Sequence, residues 1–130
     1  YAGLWTDSVG EHLKPREPHR QGAYRGLYEE LKVSEICLYE FGDSFASDIA
    51  YRDFIDREFK QAYFGLIVDK GEIDPDPKEV KSICWVGKEK LSSLVTSFDS
   101  IFCPPFLLDL QRLDLINKWD GIVDGLFEKH

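Results

Sequence analysis

Methionine is absent from this 130-residue chain, and cysteine is scarce, with Cys37, Cys84 and Cys103 only. The chain begins at Tyr1 without Met, so it is read as an excerpt, and targeting signals stay open. Three cysteines, with no C-x-x-C spacing, exclude a disulfide framework and a cysteine-based zinc site. Cys37 and Cys84 sit in apolar runs and are expected to be inert core thiols, which fits a reducing, intracellular, cytoplasmic setting. No apolar run approaches the ~18 residues needed to cross a bilayer, so no membrane partner is expected. Basic residues are outnumbered, 16 against 24 acidic, for a net charge of −8, which argues against bulk nucleic-acid binding.

What is present is an apolar share of 43%, with nine Phe, six Tyr and three Trp, enough to build a core. The length suits one domain. Residues 4–9 read as the end of a strand and 10–16 as a loop containing Pro15. Residues 18–31 read as a helix, with Pro18 suited to its first position and Ala23, Leu27 and Leu31 along one stripe. Gly22 and Gly26 oppose it by about 1 kcal/mol each relative to Ala, so a glycine there marks either close packing or decay. Strands are expected at 35–41, 57–68 and 79–86, with a polar loop at 42–53 and turns at 70–71 and 74–77. A short helix is expected at 88–95. Pro104-Pro105 open a C-terminal helix whose packing face carries Trp119, Ile122, Val123, Leu126 and Phe127. Mixed strands and helices in this order predict an α/β sandwich with a mixed β-sheet.

The chemistry concentrates in residues 25–30, Arg-Gly-Leu-Tyr-Glu-Glu. Carboxylates at helical spacing project from one face, and hard oxygen ligands suit Mg²⁺ or Mn²⁺ beside a phosphate. Glu29 could be such a ligand or an ordinary solvated glutamate. Upstream, Lys14, Arg16, Arg20 and Arg25, with His12 and His19, crowd one stretch. That stretch reads as a solvated loop or as a phosphate-facing one.

These residues resemble the Nudix box, G-x5-E-x7-R-E-U-x-E-E-x-G-U with U apolar. Glu17, Arg25, Leu27, Glu29, Glu30, Leu31 and Val33 fit it. The chain is similar to the branch of the Nudix superfamily that includes isopentenyl diphosphate isomerase. Trp5-Thr6-Asp7-Ser8-Val9 with His12 resembles its W-T-N-S-V-C-G-H, and Asp56-Arg57-Glu58 resembles its acidic E-x-E. Arg57-Glu58-Phe59 with Tyr63, the stretch from Pro77-Lys78-Glu79-Val80 to Trp85-Val86, and Phe102 to Phe106 resemble further motifs of related members. The resemblance covers residues 4–107.

It implies a Nudix-type α/β/α sandwich over 1–130 as a single domain lacking its N-terminal strand region. It also implies a site in which Glu29, Glu30 and Glu58 act in catalysis, and in which they, His12 and Asp56 hold Mg²⁺ or Mn²⁺. Lys14, Arg16 and Arg20 would bind the substrate's phosphates. His12 could instead be a plain loop histidine, and Asp56 a strand-start charge. Glu79 has a place in the family's set of acids, and Arg25 could brace the loop through Glu17.

The departures are specific. Glu11 stands at the box's leading Gly, Arg16 at the Gly before the first glutamate, Gly26 at the acid after Arg25, and Lys32 at the late Gly. Gly10 stands where the isomerase has its catalytic thiol. The expectation is therefore a divergent, metal-dependent diphosphate hydrolase and not an isomerase. The alternative is a catalytically inactive domain binding a nucleotide, another diphosphate or a protein partner. A purely structural subunit, a homodimer or a larger parent protein stays open.

Overall fold

A computed structural model describes the backbone of residues 3–51 and 54–129, and their side chains apart from 49, 51 and 54–57. The elements run α1 (His19–Leu31), β1 (Tyr39–Tyr51), β2 (Phe54–Phe64), α2 (Lys88–Ser97), α3 (Pro104–Arg112) and α4 (Leu115–Glu128), with single-turn helices at Lys70–Glu72 and Asp99–Ile101. β1 and β2 pair in a two-stranded sheet. The architecture is α/β, but the sheet among the described residues is smaller than the mixed sheet the sequence suggests.

The chain divides into two compact units. The first comprises Ser8–Ser47 and Glu58–Ile83. Its core is Leu27 and Leu31 of α1 with Val33 and Leu38, and Ala23, Tyr24, Ile36 and Tyr63 pack against them. The apolar stripe of α1 thus does what its spacing predicts: it buries one helix face. Pro18 sits just outside the helix as its N-cap. At the other end, the amides of Asp74 and Asp76 bond the carbonyls of Leu31 and Glu30 at 2.9 and 2.8 Å, satisfying acceptors that a helix C-terminus leaves over.

The second unit comprises Tyr1–Asp7, Asp48–Arg57 and Cys84–His130. Leu91, Phe102 and Leu110 form its core, with Val86, Phe106 and Trp119 against them. The expected strand end at 4–9 reduces to one parallel bridge between Trp5 and Phe102.

Three expectations are corrected. The polar stretch 42–53 is not a loop, because β1 runs through most of it. Its Gly, Asp and Ser residues hide a period-two pattern, interrupted at the exposed Asp43: Tyr39, Phe41, Phe45 and Ser47 turn inward while Glu40, Gly42, Ser44, Ala46 and Asp48 are exposed. Residues 79–86 form no strand; Val80 closes a turn on the Asp76 carbonyl at 2.8 Å, and Ile83 and Trp85 are exposed. The C-terminal helix is two helices, broken where Asp114 adopts a left-handed φ of 52°.

The cysteines are also reversed: Cys37 and Cys84 are exposed, and Cys103 is the buried thiol, its pKa pushed up by burial. No helix among the described residues is long and apolar enough to cross a membrane.

The backbone keeps the box's glycine conformations where glycine itself is gone. Arg16 has φ 66° and Lys32 has φ 59°, both left-handed, at two positions where the resemblance expects Gly. The Lys32 amide bonds the Tyr28 carbonyl at 2.9 Å and so ends α1 as a glycine would.

Candidate functional site

Gly22 and Gly26 lie one turn apart on α1, and both are buried. A Cβ on Gly22 would run into the Leu13 side chain, and one on Gly26 would meet the Glu11 Cβ at 2.8 Å. Their reason is close packing: with no side chains on this stripe, the loop from Glu11 to Glu17 lies directly on the helix.

Arg25 fastens that loop. Its Nε and Nη2 donate to the two carboxylate oxygens of Glu17 at 2.9 Å each. Nη1 donates to Glu29 at 3.1 Å and lies 3.3 Å from Glu11, and Nη2 also donates to the His12 carbonyl at 2.8 Å. A planar guanidinium suits such a fork, and lysine could not match it. The brace between Arg25 and Glu17 is therefore present, and it extends to three carboxylates.

Arg25 and a bond from the Lys14 amide hold the Glu17 carboxyl down at about 2, against an ordinary 4.5. The unfolded chain thus takes up this proton first as pH falls. The brace contributes fully above the ordinary value and is lost as pH drops from about 4.5 towards about 2. Acid unfolding followed by circular dichroism is expected to steepen in that window, and Glu17→Gln to flatten it. An identical acid profile in the variant would refute the assignment.

In β2, Glu58 places one carboxylate oxygen 3.2 Å from His12 Nδ1 and the other 3.5 Å from Lys60. A loop histidine and a strand acid, distant in sequence, are thereby brought together. Asp56 lies outside the described side chains. Glu30 is half-buried in the last turn of α1, with one carboxylate oxygen shielded from solvent.

Of the cationic residues, Arg20 donates to the Leu38 carbonyl, lies 3.8 Å from Glu40 and covers the Tyr63 ring at 5.3 Å. It braces the start of β1. Lys14 and Arg16 are exposed on the loop. Glu11 stands out in the sequence only as a departure from the box; the signal for its place here is that Glu11 and Gly26 depart from the box in opposite senses.

Among the described residues no three His, Cys, Asp or Glu side chains are placed to hold a metal ion. Glu11, Glu17 and Glu29 instead surround the guanidinium of Arg25. As described, these residues do not fit a divalent metal.

Residues 1–102 match the NUDIX domain, and the chain belongs to that family. Among curated proteins it is similar to the isopentenyl-diphosphate Delta-isomerase of Corynebacterium diphtheriae, 28% identical over 117 residues, covering 86% of this chain and 63% of that protein. It is 31% identical over 85 residues to isopentenyl-diphosphate Delta-isomerase 1 of Aromatoleum aromaticum, covering 65% of this chain and 46% of that one. A Pectobacterium atrosepticum protein of the same name is 27% identical over 111 residues, covering 85% and 60% respectively. The chain thus spans roughly half to two thirds of the curated relatives it matches. No solved structure matches it.

These relatives correct the expected activity. They carry the name of an isomerase, which points away from a diphosphate hydrolase. Excluding isomerase chemistry because Gly10 replaces a thiol gave one position more weight than the rest of the chain supports.

Proposed function

We propose that this domain binds a short-chain isoprenoid diphosphate and shifts its double bond, leaving the diphosphate intact. The supporting observation is the His12–Glu58 pair, 3.2 Å apart. The relatives' name describes moving a double bond within isopentenyl diphosphate. Such a shift adds a proton at one carbon and removes one from another, so the substrate neither gains nor loses atoms overall. A histidine and a carboxylate in contact can do both, passing the proton between ring nitrogen and carboxylate oxygen. With Gly10 at the thiol position, this work falls to His12 and Glu58. Lys14 and Arg16, exposed on the loop that carries His12, are the phosphate-facing cations.

Mg²⁺ or Mn²⁺ would have to draw Glu29 away from Arg25. The domain is then a Nudix-type α/β/α sandwich over 1–130, with a mixed sheet, working in a cytoplasmic setting. A second reading, a ligand-binding domain without turnover, is favoured by Gly10 and by the hold of Arg25 on Glu29.

The test is incubation with isopentenyl diphosphate in D₂O, followed by NMR. Deuterium entering the carbon chain, with no free phosphate, is expected. Glu58→Gln should slow it by roughly 10²–10⁴-fold, the usual contribution of a general acid or base. Binding without deuterium uptake would favour the second reading. Absence of binding would defeat both.

A further inference from the structure

Two departures from the box meet in space. Position 26 has glycine where an acid is expected, and position 11 has an acid where glycine is expected. An ideal Cβ on Gly26 would lie 2.8 Å from the Glu11 Cβ, 3.0 Å from its Cγ and 3.1 Å from its Oε2. Side-chain atoms do not approach so closely, so the two positions cannot both carry a side chain in this arrangement. Between positions 11 and 26 the count of carboxylates is nevertheless kept at one. We infer that Glu11 and Gly26 are an exchanged pair, in which the loop supplies the carboxylate that helix α1 lacks.

The placement of the Glu11 carboxylate supports this. It lies 3.3 Å from Arg25 Nη1, the same nitrogen that donates to Glu29 at 3.1 Å. The loop acid therefore stands beside the helix acid, as a residue on the helix one turn earlier would. It also gives Glu11 a task. Arg25 holds the loop at two consecutive residues, through the Glu11 carboxylate and the His12 carbonyl. Two adjacent anchors fix the direction in which the next side chain leaves, and the His12 ring is the one that reaches Glu58. Glu11 is thus a positioning residue for His12. The exchange depends on packing at positions 11 and 26 alone, whether or not the domain shifts a double bond.

The experiment is a double-mutant cycle on the whole chain: wild type, Glu11→Gly, Gly26→Glu, and Glu11→Gly with Gly26→Glu. Unfolding equilibria and the ¹⁵N resonances of the His12 ring are read for each. Gly26→Glu alone should destabilise the chain strongly. In the Glu11→Gly background the same change should cost at least about tenfold less in the unfolding constant, the coupling expected of residues in contact. If Gly26→Glu alone fails to fold, Gly26→Ala gives the same cycle with a smaller clash. Glu11→Gly should move the His12 resonances towards those measured in Glu58→Gln, and the double exchange should return them. Additive effects on stability would overturn the exchange. Unchanged His12 resonances in Glu11→Gly would overturn its positioning role.

Discussion

Replacing Arg25 by glutamine should unseat the loop that carries His12 and lower the melting temperature by more than neutralising Glu11, Glu17 or Glu29 singly. The expectation follows from the number of groups that Arg25 serves at once. One guanidinium, 17% exposed, bonds both oxygens of Glu17, one of Glu29 and the His12 carbonyl, and lies against Glu11. The opposing Glu17 side chain is only 6% exposed. Removing the cation leaves three carboxylates close together, with Glu17 the one most shielded from water, and removing one partner of a shielded charge pair costs more than the pair contributes net. Lysine should rescue only partly, since it keeps the charge but not the fork. Thermal melts of Arg25→Gln, Arg25→Lys and the three single Glu→Gln variants check this. A Gln variant that melts with the wild type would show that the network adds nothing. Because the carboxylates then repel, added salt should recover part of the loss in Arg25→Gln.

Leu31→Ala should be the most damaging change outside the charged network, by about 3 kcal/mol, within the range for truncating a buried leucine. Leu31 is 4% exposed and belongs to the core that joins α1 to Val33 and Leu38. Its carbonyl also receives the Asp74 amide at 2.9 Å, so the cavity would open where the following turn is tied to the helix end. Glu29 and Glu30 sit in that last turn, so the loss should also loosen the site. Phe127→Ala is the control: Phe127 is 61% exposed, and its truncation should change stability by roughly 0.5 kcal/mol or less. Urea unfolding of the two variants separates the cases, and equal midpoints would refute this description of the core.

How much could be read from the chain depends on whether a feature is local. Helix α1 was legible because Ala23, Leu27 and Leu31 repeat at its period, and α2 appears close to its expected bounds. β1 was obscured because its Gly, Asp and Ser residues have the composition of a loop, although Tyr39, Phe41 and Phe45 alternate as a strand does. The break before α4 depends on one residue, Asp114, in a left-handed conformation that composition does not announce. His12 and Glu58 were both named from the resemblance, and the structure brings them together. The charge run that includes Arg20 reads as phosphate-facing because such a run says nothing of what folds over it. In the fold Arg20 is occupied by a carbonyl, an acid and a ring.

By itself, then, the sequence determined the family, through motifs in order over residues 4–107, and the helix that carries Glu29 and Glu30, through its apolar spacing; it offered the pairing of Arg25 with Glu17, which the structure shows. Only the tertiary structure decided what Gly22 and Gly26 are for, and that Glu11 fills the space beside Gly26. It alone decided that Arg25, rather than an arrangement of ligands ready for a metal, lies among the acids. Those features depend on which segment crosses the helix and how closely. Such a contact is set by packing between parts of the chain that carry no record of each other's distance.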